Sequence, residues 1–234
     1  MSEHRAEAAG TLHGLVRGYL ARRYSILFYS LLLTLGASPL LAVLHLDGSL
    51  LQVFLGVNLL AAVLGMASRG SSRLLLLGAV LGVRLAAIWL RADALATTSL
   101  ALWTVVGLLA AAGVVRYAMG GTAVNAEHLY AALSAYLLAG VFFGVLYWTI
   151  EGAWAGSFAV TGATVAPGGF SPASAIYFSF VTLATLGYGD VVPRSEVARG
   201  LAILEAVAGQ LYLAVMVARL VSLYVQSGRR GEGS

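Results

Sequence analysis

The sequence predicts an all-α membrane protein with six transmembrane helices and one short re-entrant helix that leads into a glycine-rich loop. Of the 234 residues, 60% are hydrophobic and only 10% are charged, whereas a soluble domain carries about 25% charged residues. Six apolar runs each have about 20 residues or more, the length that a bilayer core of about 30 Å requires. A further apolar run is too short to cross, and a glycine-rich loop follows it.

The predicted spans are, in order, 24–44, 49–67, 73–90, 97–115, 129–150 and 196–226. The basic residues are all arginines, and most of them precede the first span, join the second to the third, or follow the fourth and the last. Because cytoplasmic loops are enriched in basic residues, we expect a multi-pass topology with both termini in the cytoplasm. The net charge of +4 is therefore explained by arginines in cytoplasmic loops, and we expect no nucleic-acid partner.

Residues 1–23 form a predicted amphipathic segment before the first span. Its apolar residues recur at helical spacing and are Leu12, Leu15, Val16, Tyr19 and Leu20. Two interpretations stay open: an interfacial helix on the inner leaflet with its arginines near anionic lipid, or an ordinary helix packed on the bundle. The chain has no Cys, which excludes a disulfide framework and a thiolate metal site.

The short apolar run is predicted to be a helix over residues 171–184. Ser171 is a good N-cap and Pro172 a good first helical residue. A helix of roughly thirteen residues is about 20 Å long, too short for the bilayer core. A short helix, a glycine-rich loop and a long helix together indicate a re-entrant pore loop, because irregular backbone at membrane depth must be surrounded by protein or water.

The loop itself is Thr185-Leu186-Gly187-Tyr188-Gly189-Asp190. A permeating potassium ion sheds its water, and rings of backbone carbonyls must replace that water. Gly187 and Gly189 suit this backbone because glycine tolerates positive φ. A Gly-Tyr-Gly-Asp run alone also occurs in ordinary turns, so the flanking helices are the observation that favours a selectivity filter.

Residues 129–226 closely resemble the pore domain of the potassium channel superfamily. The resemblance implies an outer helix at 129–151, a pore helix at 171–184, a filter at 185–190 and an inner helix at 196–226. Residues 24–118 then form a four-helix domain similar to a voltage sensor but lacking gating charges, 119–128 a cytoplasmic linker, and 227–234 a short cytoplasmic tail without a ligand-sensing domain. Leu186 stands where the family usually has Val.

The resemblance also implies that an aromatic donor on the pore helix holds the Asp after the filter. The matching residues are Tyr177, where the family more often has Trp, and Asp190. The alternative is a merely packed Tyr177 and a solvated Asp190. Thr182 and Ser179 are expected to bond locally or to support the filter.

The last span contains the predicted cavity and gate. Gly209 matches the family's hinge glycine, although glycine also serves close packing in membrane helices. The helical period places four residues on one stripe that we expect to line the cavity and gate: Gln210, Leu213, Val217 and Val221. Glu205 in this span and Arg84 in the third are intramembrane polar residues, and each is a candidate for function or for a buried structural pair.

One chain supplies one filter segment, so we expect a homotetramer with three identical partner subunits. The sequence predicts passive potassium transport through a prokaryotic channel, bacterial or archaeal, in the cell membrane. It predicts no enzyme activity, no cofactor, and no bound metal other than the permeant K⁺. A different class, a non-conducting subunit with a pore-like loop, is disfavoured by the intact filter sequence.

The fourth span, 97–115, contains no Arg. Because a voltage sensor moves about 3–4 charges per subunit through the membrane field, we expect at most a shallow dependence on voltage. A voltage-gated potassium channel is the alternative.

Overall fold

The computed structural model describes residues 22–36, 58, 93–120, 126–161 and 169–231. Within these ranges the chain is mostly helical, with α1 at 22–36, α2 at Asp93–Gly120, α3 at Ala126–Ala153, α4 at Pro172–Leu183 and α5 at Glu196–Gly231. Two short strands, β1 at Phe158–Val160 and β2 at Val191–Pro193, complete the described elements. Three predicted parts of the chain lie wholly or partly outside the described residues. They are residues 1–21 of the predicted segment 1–23, residues 37–44 of the first span, and the second and third spans, with Arg84 but without Asn58.

Helix α3 is the centre of the arrangement, with α2 against one part of it and α4 against another. Phe142, fully buried on α3, packs directly on Gly107 of α2, where an added Cβ would fall 2.2 Å from the ring. On the other side Gly144 meets Ile176 of α4, with 2.6 Å between an added Cβ and the Ile176 Cα. Both contacts require residues without side chains, because close packing leaves no room for another carbon.

Helix α1 is fixed to α3 through Glu127. The Glu127 carboxylate accepts a hydrogen bond from the Tyr24 amide at 3.1 Å and another from the Ser25 hydroxyl. The Tyr24 ring stacks on Tyr117 of α2 at 4.3 Å between centroids. These contacts bring the first turns of α1, the end of α2 and the start of α3 together.

Several helices extend past their predicted ends. Helix α2 reaches Gly120 and α3 begins at Ala126, so only residues 121–125 separate them where the sequence predicted a linker at 119–128. Helix α5 continues to Gly231, beyond the predicted residue 226. The added residues are largely polar or small, and hydropathy detects the apolar part of a helix rather than its full length. Such a short connection keeps α2 beside α3 of the same chain.

Two described helices are long and apolar enough to cross a membrane, Ala126–Ala153 and Glu196–Ser222. Helix α4 is a shorter apolar helix, as the sequence predicted for the re-entrant segment. Strands β1 and β2 pair antiparallel, with Phe158 opposite Pro193 and Val160 opposite Val191. The strand pair thus connects the segment after α3 to the segment that follows the glycine-rich loop 185–190.

We expect Gly144→Ala to destabilise the protein by about 1–3 kcal/mol, the usual cost of overpacking, because its Cβ meets backbone atoms of Ile176 that cannot rotate away. The matched control is Gly152→Ala in the same helix, where no atom lies within 4 Å of an added Cβ. Thermal unfolding of the purified protein measures both. Equal melting temperatures for the two variants would contradict this packing.

Candidate functional site

The start of α4 is fixed by its own sequence. Ser171 has extended backbone, φ −93° and ψ 165°, and its hydroxyl oxygen accepts the Ser174 amide at 3.1 Å. Pro172 follows in the first turn, where its missing N–H leaves no donor unsatisfied. The predicted cap is therefore present, and it sets the position at which the helix enters the site.

The end of α4 passes directly into the loop. The Ala184 amide donates to the Phe180 carbonyl at 2.9 Å, and the Thr185 amide donates to the Thr182 carbonyl at 3.0 Å. The Leu186 amide reaches further back, to the Val181 carbonyl at 2.8 Å. The last turn of α4 thus holds the first two residues of the loop.

The loop backbone alternates in handedness. Thr185, Gly187 and Gly189 have φ values of 57°, 59° and 79°, and Thr185 is the one described non-glycine residue with positive φ. From Thr185 to Gly189 φ is thus positive at every second residue, a backbone that is neither helix nor strand. A β-branched residue at positive φ is strained, and such strain concentrates at functional sites.

Asp190 is held on both carboxylate oxygens at the end of the loop. The Tyr177 hydroxyl donates to Oδ2 at 2.8 Å, and the Val191 amide donates to Oδ1 at 3.0 Å. The hydrogen bond between Tyr177 and Asp190, which the sequence predicted, is thus present in the structure. The hydrogen bond to the Asp190 carboxylate raises the pKa of the Tyr177 phenol to about 12. The Tyr177 ring also stacks on Tyr188, with 6.5 Å between centroids.

The loop side chains are open to the surroundings of a single chain. Leu186 is 54% exposed and Tyr188 is 67% exposed, although large apolar and aromatic side chains are usually covered. The backbone of the loop is open as well, since Thr185, Gly187 and Gly189 are all exposed. A single chain therefore forms the shape of the loop without enclosing it.

Glu205 of α5 is completely buried and joins three helices. The Tyr147 hydroxyl of α3 donates to its Oε2 at 2.6 Å, and the Ser179 hydroxyl of α4 lies 2.5 Å from its Oε1. Ser179 also lies 2.7 Å from the Gly140 carbonyl oxygen. The sequence marked Glu205 as a candidate for a buried polar pair, and its partners in the structure are Tyr147 and Ser179.

The proton count at Ser179 favours a neutral Glu205. A serine hydroxyl has one proton, yet two oxygen acceptors lie within hydrogen-bond distance of it. All contacts are satisfied when Glu205 donates to Ser179 and Ser179 donates to Gly140. No salt bridge to Glu205 occurs among the described residues, and an unpaired buried charge would be costly.

Helix α5 has two different faces. Its buried face includes Ala198, Glu205, Gly209 and Met216. The predicted cavity stripe lies elsewhere on the helix and is exposed in the single chain: Gln210, Leu213, Val217 and Val221.

Gly209 belongs to the buried face rather than to the stripe. An added Cβ would lie 2.6 Å from Leu183, so close packing accounts for the glycine. The helix continues through it, and the hinge remains a prediction.

Arg219 on α5 was overlooked in the sequence. Its guanidinium donates to the Met119 carbonyl near the end of α2. This hydrogen bond joins the C-terminal half of α5 to α2. An arginine inside a long apolar run is the signal that identifies it. Tyr212, one turn before Met216, similarly donates to the Ala132 carbonyl of α3 at 2.6 Å.

We expect Tyr177→Phe to lower the melting temperature by about 2–4 °C, because it removes the donor to Asp190 and keeps the ring. Tyr29→Phe is the control, since the Tyr29 hydroxyl is also exposed and, among the described residues, bonds the Tyr130 hydroxyl at 3.2 Å. Differential scanning calorimetry of both variants is the measurement. An unchanged melting temperature for Tyr177→Phe would mean that the bond contributes nothing to stability.

We expect Glu205→Gln to be nearly as stable as the native protein, because an amide accepts from Tyr147 and donates to Ser179 as a neutral acid does. Glu205→Leu should lose about 1–3 kcal/mol, since it leaves the buried Tyr147 hydroxyl without a partner. Thermal unfolding compares the two variants. If Gln were as damaging as Leu, the network would require a carboxylate charge.

Comparison with known proteins gives one match. Residues 129–226, which include α3, the site and most of α5, match a protein-family model described as an ion channel. Comparisons with curated proteins and with solved structures gave no match. The matched range and the apolar helices Ala126–Ala153 and Glu196–Ser222 indicate a membrane protein with a pore-loop ion-channel domain.

Proposed function

We propose that this protein is a potassium-selective channel that passes K⁺ passively across the cell membrane. The observation behind the proposal is the alternating backbone of Thr185, Gly187 and Gly189 at the end of a short apolar helix. Such a backbone aims a column of carbonyls at one axis, and carbonyl rings substitute for the hydration shell of K⁺. Side-chain carboxylates are not needed for this chemistry.

Four copies of the chain complete the proposed filter. Each chain supplies one column of carbonyls, and a ring around an axis needs several columns. The exposed Leu186 and Tyr188 of the loop and the exposed apolar side chains of α5, among them Ile203, Leu204 and Leu211, favour contact with neighbouring subunits and lipid. Exposed apolar surface of this extent marks an interaction site.

The pore-lining parts follow from this arrangement. The C-terminal end of α4, at Leu183, carries the negative end of the helix dipole, which stabilises a cation in the cavity below the filter. Gln210, Leu213, Val217 and Val221 line that cavity, and the two valines close it by excluding water. The cytoplasmic arginines contact anionic lipid headgroups.

The proposed channel is at most weakly sensitive to voltage. Residues 97–115, most of α2, contain no arginine. In addition, Phe142 sits on Gly107 with no space for another carbon, so a displacement of α2 along α3 would break a tight contact. A gating helix needs both charge and freedom to move, and α2 is poor in each.

In lipid bilayers that contain the purified protein, we expect the reversal potential to follow the K⁺ gradient and to ignore the Na⁺ gradient. The reason is that the carbonyls of Thr185 to Gly189 can replace the hydration shell of K⁺ only when the loop keeps its backbone conformation. Gly187→Ala is the inactive control, because φ is 59° at this residue and alanine disfavours positive φ.

The native mass of the same preparation should equal four chains.

Equal K⁺ and Na⁺ permeability under bi-ionic conditions would overturn the selectivity. A stable and conducting monomer or dimer would overturn the four-fold assembly, and a complete absence of flux would favour a non-conducting subunit.

We expect the open probability to change only shallowly with voltage, because α2 lacks the charges that a sensor moves. The measurement is the limiting slope of open probability against voltage in the same bilayers. A slope that requires about 12 charges per channel, or 3 for each of four subunits, would show that residues 24–118 contain a conventional sensor.

A further inference from the structure

The antiparallel pairing of β1 with β2 continues by one more hydrogen bond, which reaches the Asp190 end of the loop. Val160 lies opposite Val191, and the next residue along, Thr161, donates its amide to the Asp190 carbonyl at 2.7 Å. The Thr161 side chain then lies beside the loop, with Oγ1 at 3.2 Å from both the Gly189 and the Asp190 carbonyl oxygens. Antiparallel pairing thus brings one hydroxyl to the last two carbonyls of the glycine-rich loop, those of Gly189 and Asp190.

The hydroxyl proton is available to Gly189. A threonine hydroxyl has one proton, and the Asp190 carbonyl already accepts the Thr161 amide. The Gly189 carbonyl is therefore the acceptor that benefits from the hydroxyl. A hydrogen bond from Thr161 fixes the direction of this carbonyl, which glycine would otherwise leave free to rotate.

The segment that presents Thr161 is anchored independently of the loop. The Glu151 carboxylate at the end of α3 accepts the Gly156 amide at 2.9 Å and the Phe158 amide at 3.0 Å. The Phe158 ring stacks on Phe170 at 4.4 Å and meets the Phe178 ring of α4 edge-on at 5.4 Å. Because α3 and α4 hold Phe158, Thr161 approaches the loop from a fixed support.

We propose that Thr161 is a positioning residue for the outermost carbonyl of the filter, and that it sets the affinity of the outer end of the pore for cations. The inference rests on the proposed potassium-channel function. Asp190 is then held from two sides, by Tyr177 of α4 and by the Thr161 amide of the strand segment. Gly189 is held by the Thr161 hydroxyl alone among the described side chains.

Thr161→Val removes the hydroxyl and keeps the branched shape, whereas Thr161→Ser keeps the hydroxyl. External and internal Ba²⁺ block of K⁺ current in bilayers measure the affinity at the two ends of the pore. We expect Thr161→Val to change the external blocking constant about fivefold, the size expected for one hydrogen bond. Internal block and K⁺/Na⁺ selectivity should stay unchanged, and Thr161→Ser should match the native protein.

Unchanged external block in Thr161→Val would overturn the assignment. Equal changes at both ends of the pore, or a matching loss of thermal stability in Val and Ser variants, would also overturn it, because they indicate a merely structural role. Cryo-electron microscopy of the Val variant provides a readout that does not require conduction. A reoriented Gly189 carbonyl there supports the assignment even if the native protein proves unselective, and an unmoved carbonyl counts against it.

Discussion

The left-handed backbone at Thr185, Gly187 and Gly189 is the constraint on which the rest of the structure depends. A threonine at positive φ does not hold this conformation unaided, because its branched side chain favours other backbone regions. The surrounding elements fix both ends instead. The last turn of α4 holds the Thr185 and Leu186 amides, and Asp190 is bound at the far end through its carboxylate and its carbonyl. The strain is thereby distributed over two neighbouring elements, as is common at functional sites.

Helix α4 is supported in turn by the hydrogen bonds of Glu205, which has no ion-pair partner among the described residues. Glu205 binds Tyr147 and Ser179, so one carboxyl group joins α3, α4 and α5. Small residues on either side allow the helices to approach closely, with Gly144 against Ile176 and Gly209 against Leu183. The combination is specific because a shifted helix would lose the hydrogen bonds and the close contacts together. A neutral acid suits this junction, since it contributes direction without the cost of burying an ion.

Features set by neighbouring residues could be predicted from the sequence, and features set by long-range pairing could not. The Ser171 cap and the Pro172 start of α4 depend on local chemistry, and Gly187 and Gly189 indicate positive φ by their residue type. The link from Tyr177 to Asp190 came from the resemblance. Positive φ at Thr185 runs against the preference of its own side chain. Thr161 lies 28 residues before Gly189, and Tyr147 lies 58 residues before Glu205, so neither contact has a periodic signature. Arg219 was detectable as a charge in an apolar run.

The described contacts that shape the loop join it to α4 and to the strand segment, and Asp190 also accepts the Val191 amide. In the proposed tetramer each chain would supply one quarter of the filter, and the exposed apolar face of α5 would contact the neighbouring chains. A substitution confined to the loop leaves the exposed apolar residues of α5 unchanged, so in the proposed tetramer we expect damaged and intact chains to assemble together. In a cell that expresses equal amounts of both, random four-fold assembly leaves about one tetramer in sixteen without a damaged subunit. Loop mutations should thus be genetically dominant, whereas mutations that prevent assembly should be recessive.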